Sequence, residues 1–259
     1  MLLNFEERTS DSPFIERVWR SRSASAGSFL SIASTHGEIV VTRCKGEVFL
    51  TLRGPEKRAT VAQCPSDGEW IGVRLRLGTF MPHLLPCDLS DRRDVTLPGA
   101  GSQCFWLRGS AWEYPTYSNA EMFVTRLARQ GLLVRNPLVD HMLDGHSHPL
   151  SIRTGQRRFL HATGLTHRAV RQIARARHAT NLLKQGASIL DTAHEAGYFD
   201  QAHLTRSLKH FVGQTPGEIR IRDRKHAIVN QVLPMNRSDT GRKNDSDTGI
   251  QQGQRRDFA

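Results

Sequence analysis

The segment QAHLTRSLK, which begins at Gln201, places hydrogen-bonding side chains on one side of a predicted helix. Gln201 and Thr205 are i,i+4 neighbours, as are Ala202 and Arg206, so the four side chains form one compact patch. Glutamine can bond the edge of adenine and arginine that of guanine, each in bidentate fashion, while Thr and Ala can contact a thymine methyl group. These residue types at this spacing indicate the chemistry of base recognition. Lys209, one turn further on, adds a positive charge to the same surface.

Two helical segments around a glycine are expected to position this patch, at about 188–211. Ser188 is suited to cap the first helix, and Gly197 to end it with a positive φ. Asp200 then caps the second helix, whose large apolar side chains repeat at i, i+4 and i+7 and therefore face inward. A helix, a tight turn and a second helix form a helix-turn-helix, in which the second helix lies in the major groove of DNA.

A second unit of this kind is predicted upstream, at about 137–162. In it Ser151 caps a helix whose inner side is expected to hold Ile152, Gly155 and Phe159. The outward positions of this helix form a second candidate reading patch: Arg153, Gln156 and Arg157.

A helix predicted over 168–184 connects the two units. Arg168, Arg171 and Arg175 lie outside its apolar stripe, where they can approach phosphates. About 17 residues at ~1.5 Å each give a rod of about 25 Å. A rod of that length could hold two reading helices in successive major grooves, which lie about 34 Å apart along one face of the duplex.

The positive charge of the chain is concentrated in this same region. The whole sequence of 259 residues has a net charge of +11. Residues 151–225 hold 14 Lys and Arg against 5 Asp and Glu, a net charge of +9. A basic block of this density favours a polyanionic partner, with nucleic acid the first expectation and an anionic membrane the second. The helix-turn-helix pattern makes double-stranded DNA the predicted partner.

Residues 137–220 resemble the DNA-binding domain of the AraC/XylS family of bacterial transcription regulators. The resemblance is most specific over SILDTAHEAGYFDQAHLTRSLKHFVGQTPGEIR, the second helix-turn-helix. It implies two such units joined by a helix, transcriptional control that is usually activation, and RNA polymerase as a partner. By position, it assigns base contacts to the two patches described above. Two residues depart from the family pattern: Gly155 stands where an aliphatic residue is usual, and Ala202 where a polar one is common.

The rest of the chain predicts an α+β fold with a β-rich part before the helices. Residues 27–118 alternate in the manner of strands, as in GEIVVTR and GVRLRLG, which favours an antiparallel sheet or small barrel. The family resemblance implies that this part is a cupin-like barrel that serves as a sensor or dimerisation domain. Residues 1–26 are predicted to be an N-terminal arm. The helical domain is predicted over 119–224, and 225–259 as a disordered tail poor in large apolar residues.

Aromatic residues of the β-rich part are weak candidates for a ligand pocket. Trp70, Trp106 and Trp112 could line a site for a small organic effector, although filling of the core is the more common role. The sequence identifies neither the effector nor the oligomeric state, and a homodimer stays open.

Two other classes of function compete with a regulator. A metal-dependent cupin enzyme would need clustered ligands, but the β-rich part offers only His36 and His83. A cysteine-dependent repair methyltransferase would need a zinc-held thiol, but Cys44, Cys64, Cys87 and Cys104 form no close pair. We therefore predict no catalytic residue, metal or cofactor. An architectural DNA binder without sequence preference is the remaining alternative.

Hydropathy predicts no membrane-spanning segment. No apolar run approaches the ~20 residues that cross a bilayer, and the segment MLLNFEERTSD becomes polar at once. The expected location is the cytoplasm.

Overall fold

The computed structural model describes residues 3–91, 93–145 and 150–225. The tail predicted to be disordered lies outside these residues from position 226 onward. The strands, in chain order, are β1 (Leu3–Thr9), β2 (Ile15–Ser23), β3 (Gly27–Ser31), β4 (Glu38–Cys44), β5 (Glu47–Arg53), β6 (Thr60–Cys64), β7 (Glu69–Leu75), β8 (Thr79–Phe80), β9 (Val95–Thr96), β10 (Cys104–Leu107), β11 (Ser110–Glu113) and β12 (Val134–Arg135). The helices are α1 (Ala120–Arg129), α2 (Leu138–Leu143), α3 (Ile152–Thr163), α4 (His167–Lys184), α5 (Ile189–Glu195), α6 (Gln201–Phe211) and α7 (Pro216–Lys225).

An antiparallel sheet of six strands forms the N-terminal part, as the sequence predicts. Its strand order is β1-β2-β7-β4-β5-β9. Within the described residues the sheet ends at β1 on one side and β9 on the other, so it is open and does not close into the cupin-like barrel given as an alternative. A separate two-stranded antiparallel ribbon pairs β3 with β6, from Gly27↔Cys64 to Ser31↔Thr60, although β4 and β5 lie between these strands in the chain. We name this ribbon the β3–β6 hairpin.

The two faces of the sheet have different partners because successive side chains point to opposite sides. Ile39, Val41 and Leu50 belong to a buried apolar core on one face, which also contains Phe105. On the other face, alternate residues such as Val40 border a cleft that the β3–β6 hairpin also lines.

The prediction of an N-terminal arm is wrong, because residues 3–23 form two strands of the sheet. β1 pairs with β2, and β2 pairs with β7. Ile15 and Val18 are fully buried in the core. The polar residues that suggested an arm lie between these apolar positions and form ion pairs across the strands, such as Arg20 with Glu6 at 2.6 Å.

Helix α1 packs in the core of the sheet and not with the helices that follow it, so the predicted domain boundary at 119 is also wrong. Its buried side chains Phe123, Val124 and Leu127 lie in the same core as the sheet residues. The following strand, β12, pairs with β8. The helix has the expected periodicity, but its apolar side fits the sheet, which helical spacing alone does not reveal.

An ion pair fixes α1 to the edge strand β1 and predicts a response to acid. Arg8 Nη2 donates to Glu121 Oε2 at 2.8 Å. The hydrogen bonds from Arg8 lower the pKa of Glu121 from its usual 4.5 to about 2. A lowered carboxyl pKa contributes stability that is present above pH 4.5 and is lost as the pH falls through about 2.

We therefore expect Glu121→Gln to be less stable than the wild type at pH 6, with the difference shrinking as the pH falls through about 2. Urea unfolding at a series of pH values measures this. Glu69→Gln is the control, since its pair with Arg22 is largely exposed. An identical pH dependence of unfolding for the wild type and Glu121→Gln would contradict the role of the pair.

Helices α3 to α6 share one design at their N-termini. The side chains of Ser151, Thr166, Ser188 and Asp200 each accept a hydrogen bond from the backbone N–H three residues later. Such caps satisfy donors that the helix leaves free and are worth about 0.5–2 kcal/mol each. These local signals explain why the positions of these helices were predictable.

Candidate nucleic-acid interface

Helix α6 presents the first predicted reading patch to solvent. Gln201, Ala202 and Arg206 are exposed, whereas Leu204 and Leu208 on the opposite side are fully buried. The predicted charge at Lys209 is also exposed.

Thr205 lies on the same side of α6, but its hydroxyl hydrogen already forms a hydrogen bond within the helix. Its hydroxyl donates to the carbonyl oxygen of Gln201 at 2.8 Å. The remaining contact that it can offer a base is therefore through its methyl group or as a hydrogen-bond acceptor.

The turn before α6 is held by one buried aromatic residue. Gly197 has a φ of 69°, the left-handed conformation that favours glycine. Tyr198 is then buried, and its hydroxyl lies 3.0 Å from that of Ser207 on α6. Asp200 Oδ1 accepts from the backbone N–H of His203 at 2.6 Å and so begins the helix. These contacts fix α6 relative to α5.

Helix α3 presents the second predicted patch. Arg153, Gln156 and Arg157 are all exposed, while Phe159 and Gly155 are buried on the opposite side. Arg158, which sequence reasoning did not single out, is exposed as well.

The prediction for one residue of α3 is wrong. The sequence predicts Ile152 on the inner side of the helix, yet it is 78% exposed. Its spacing of seven from Phe159 gives the right side of the helix, but Ile152 is the first residue of α3 and lies beyond the packed core.

The arginines of α4 border a cleft that reaches α6, here named the basic cleft. Arg168, Arg171 and Arg175 line a cavity of about 720 Å³ together with three residues that sequence reasoning missed: His167, Gln172 and His203. His203 belongs to α6, so the cleft joins the connecting helix to the second reading helix. The spacing of Gln172, four residues after Arg168, could have identified it.

Arg175 connects this cleft to the turn before α6. Its Nη1 donates to the carbonyl oxygen of Gly197 at 3.3 Å, and its guanidinium lies 4.5 Å from the ring centroid of Tyr198. Its Nε has no hydrogen-bond partner within the described part of the chain. The Nε atom is buried, so Arg175 links α4 to the turn through these two contacts.

A second cavity, here named the hairpin cleft, lies between the sheet and the β3–β6 hairpin. Its volume is about 620 Å³. Its aromatic walls are Phe5, Trp19, Phe29, Phe49 and Trp70, and Cys44 and Cys64 also line it. Of the three tryptophans predicted for a pocket, only Trp70 lies here. Trp112 is buried in the core, and Trp106 is 48% exposed on β10.

The hairpin that lines this cleft also binds the end of α6. Just after β3, the backbone N–H of Ala33 donates to the carbonyl oxygen of Phe211 at 2.8 Å. Just before β6, that of Ala59 donates to the carbonyl oxygen of His210 at 2.9 Å. Gly213 follows with a φ of 77°, and a Cβ there would lie 2.9 Å from Leu30 Cδ1. We name this contact the hairpin–helix junction.

A half-buried arginine of α4 adds to the junction. Arg177 Nη2 donates to the carbonyl oxygen of Ala33 at 2.9 Å. Burial lowers the pKa of Arg177 to about 10. The same short segment after β3 is therefore bound by both α4 and α6.

The residues considered for a metal site are apart from one another. His36 Nδ1 lies 3.1 Å from the carbonyl oxygen of Leu75 and 3.1 Å from Glu16 Oε2, and burial lowers its pKa. His83 is exposed, and all four cysteines are free. Residues 3–91, 93–145 and 150–225 contain no group of three or more His, Cys, Asp or Glu arranged to hold a metal ion. Within the same ranges, no helix combines the length and apolar character needed to span a bilayer.

Comparisons with solved structures cover most of the chain at low similarity. ToxT from Vibrio cholerae matches over 85% of this chain and 98% of its own, with a TM-score of 0.36 and 7% identity. ToxT from Vibrio cholerae O395, bound to (E)-4-(8-methylnaphthalen-1-yl)but-3-enoic acid, matches over 85% and 97%, with a TM-score of 0.33 and 9% identity. Likeness at this level does not define a shared arrangement.

Sequence comparisons are more specific and fall on the helical part. The HTH-type transcriptional regulator RipA of Corynebacterium diphtheriae is 34% identical over 88 residues, which are 34% of this chain and 26% of RipA. The chain thus spans about a quarter of that relative. A family model described as a helix-turn-helix domain matches residues 149–222. This range contains α3 to α6 with both exposed patches, and it is a helix-turn-helix domain of the AraC type.

Proposed function

We propose that the protein is a sequence-specific DNA-binding transcription regulator that reads two successive major grooves with α3 and α6. The observation that carries this proposal is the pairing of two exposed patches of the same chemistry, each on the second helix of a helix-turn-helix unit. Each patch combines arginine with glutamine, as Arg153 with Gln156 and Arg206 with Gln201. These side chains suit guanine and adenine edges respectively.

The connecting helix supports the two-groove arrangement. α4 has 18 residues, which correspond to about 27 Å of helix. Its exposed Arg168 and Arg171 border the cleft beside α6 and are suited to hold the phosphates between the two grooves. Contacts of this kind position a protein on DNA and depend on salt, while the two patches supply the choice of sequence.

Selection from a pool of random duplex DNA tests the proposal. A regulator of this kind enriches a site with two conserved blocks and binds it ~10³-fold or more tightly than random DNA at physiological salt. Equal affinity for selected and random DNA would instead indicate an architectural binder. The role as a regulator, usually an activator that works with RNA polymerase in the cytoplasm, follows from the family resemblance and is part of the proposal, as is the open alternative of a homodimer.

The regulator is proposed to respond to a small effector held in the hairpin cleft. The volume of about 620 Å³ falls in the ordinary range for small-molecule sites, about 300–1,000 Å³. Trp19 is 3% exposed and packs its indole ring on Gly72, where a Cβ would lie 2.0 Å from Cε2. An uncharged ring compound would fit the aromatic walls of the cleft.

The hairpin–helix junction supplies a physical route from the effector to DNA. The hairpin contributes Phe29 and Ala62 to the cleft, while residues at its ends bind the last carbonyls of α6. A ligand that shifts the hairpin would therefore move the end of a reading helix. The coupling is reciprocal, so DNA and the effector change each other's affinity by the same factor.

Prodan, an uncharged naphthalene ketone with polarity-sensitive fluorescence, is expected to bind the wild type saturably at one site. Ala62→Trp fills the cleft and is expected to weaken Prodan binding at least about tenfold, the effect of losing a well-fitted apolar contact surface. Val61→Trp is the matched control, since Val61 is the neighbouring residue of β6 and is 62% exposed. Equal binding by the two tryptophan variants would contradict the assignment of the cleft.

A further inference from the structure

Phe199 is the most exposed large apolar side chain described in this chain. It is 93% exposed, in the turn between α5 and α6, whereas its neighbour Tyr198 is buried. An apolar residue at this position often packs on the residue five further along, in a hydrophobic staple. Here that residue, Leu204, is fully buried without it. The stability of the fold therefore gives no reason for a phenylalanine at 199.

The position of Phe199 is continuous with the reading surface. It directly precedes Asp200, the cap of α6, after which Gln201 and Ala202 are exposed. On its other side, Arg175 of the basic cleft donates to the carbonyl oxygen of Gly197. The N-terminal end of a recognition helix is the part that contacts base edges. Phe199 thus lies between the candidate base contacts and the candidate phosphate contacts.

We infer that Phe199 is a specificity-determining residue that packs against the methyl group of a thymine beside the base read by Gln201. The inference rests on the proposed function. It adds a base-contacting residue to the exposed patch of α6, which was defined by helical spacing and polar side chains. Phenylalanine is among the side chains that contact the thymine methyl group in the major groove. Such a contact removes both apolar surfaces from water, which explains the exposure of Phe199 in the free protein.

Deletion of the thymine methyl group tests this contact. The full chain first selects its site from random duplex DNA, and each thymine of that site is then replaced by deoxyuridine, which lacks the methyl group but keeps the same hydrogen bonds. For the wild type, one replacement next to the block read by α6 is expected to weaken binding about fourfold, the factor for one buried methyl group. For Phe199→Ala, binding to the original site is weakened about tenfold and that replacement has no further effect.

Leu190→Ala is the matched control, because Leu190 lies on α5 of the same unit and is 71% exposed. This variant is expected to keep the wild-type response to deoxyuridine. Phe199→Ala should fold normally, since its side chain is almost entirely in solvent, and thermal unfolding checks this.

Three results would overturn the inference. If Phe199→Ala responds to deoxyuridine as the wild type does, the methyl contact does not exist. If Phe199→Ala binds the site with unchanged affinity, Phe199 does not contact DNA, and a loss of transcription alone would assign it to a protein partner. If the wild type selects no site, the proposed function fails first, so the two failures are distinguishable.

Discussion

Replacement of Arg74 by methionine is expected to lower the free energy of unfolding by about 3–5 kcal/mol. Arg74 and Glu38 lie on neighbouring strands, and Arg74 Nη2 is 2.7 Å from Glu38 Oε1. Arg74 is only 4% exposed and Glu38 only 8%. Methionine would fill a similar space but would leave the Glu38 carboxylate buried without its main partner. Chemical denaturation at pH 7 measures the loss.

The pKa of Glu38 sharpens this expectation. Burial favours the neutral carboxyl, but Arg74 and Arg53 outweigh it and hold the pKa of Glu38 below its usual value. Without Arg74 the pKa rises, so the variant should recover part of its deficit as the pH falls and Glu38 takes up a proton.

Two further variants separate the ion pair from general effects of substitution. Arg20→Met removes an exposed pair with Glu6 and is expected to cost about 1 kcal/mol or less. The double variant Arg74→Met with Glu38→Leu should be more stable than Arg74→Met alone, because the Glu38 carboxylate is no longer left buried without Arg74. Equal losses for Arg74→Met and Arg20→Met would contradict this account of the pair.

Arg206→Ala is expected to weaken binding to the selected site by about 1–3 kcal/mol and to relax the choice of base at one position. The reason is that Arg206 is exposed on the reading side of α6, where its guanidinium can bond both acceptors of a guanine. Electrophoretic shift or anisotropy with the selected site and its single-base variants measures both effects.

Arg171→Ala provides the contrast within the same domain. Arg171 borders the basic cleft of α4, where a phosphate contact is proposed. Its loss should weaken binding equally on all sequences and make the salt dependence shallower by about one unit of slope. If Arg206→Ala also weakens all sequences equally, Arg206 is a phosphate contact and not a reader.

The helical part of the fold was predictable because its signals are local. Ser188, Asp200 and Gly197 mark the ends of α5 and α6 within a few residues of sequence, and the structure places those ends accordingly. Ile152 shows the limit of this reasoning. Periodicity gives the side of a helix, but not whether the core extends as far as the first turn.

The sheet was less predictable because its contacts are distant in sequence. β2 pairs with β7, so the burial of Val18 depends on a strand about 50 residues away. The hairpin cleft depends on distant contacts as well, since Trp70 and Phe29, which both line it, belong to strands of different sheets. The chemistry of the reading patches was available from the sequence, whereas the cleft, the junction and the exposure of Phe199 required the structure.

The most direct test of two-groove reading is a base-interference footprint on the selected site. Modified guanines and adenines that block binding in the major groove are mapped for the wild type, for Arg153→Ala with Gln156→Ala, and for Gln201→Ala with Arg206→Ala. We expect two clusters of interference about 10 base pairs apart on one face of the duplex, each of which disappears with one pair of substitutions. A single cluster, lost on substitution in either helix, would contradict the reading of two grooves by α3 and α6.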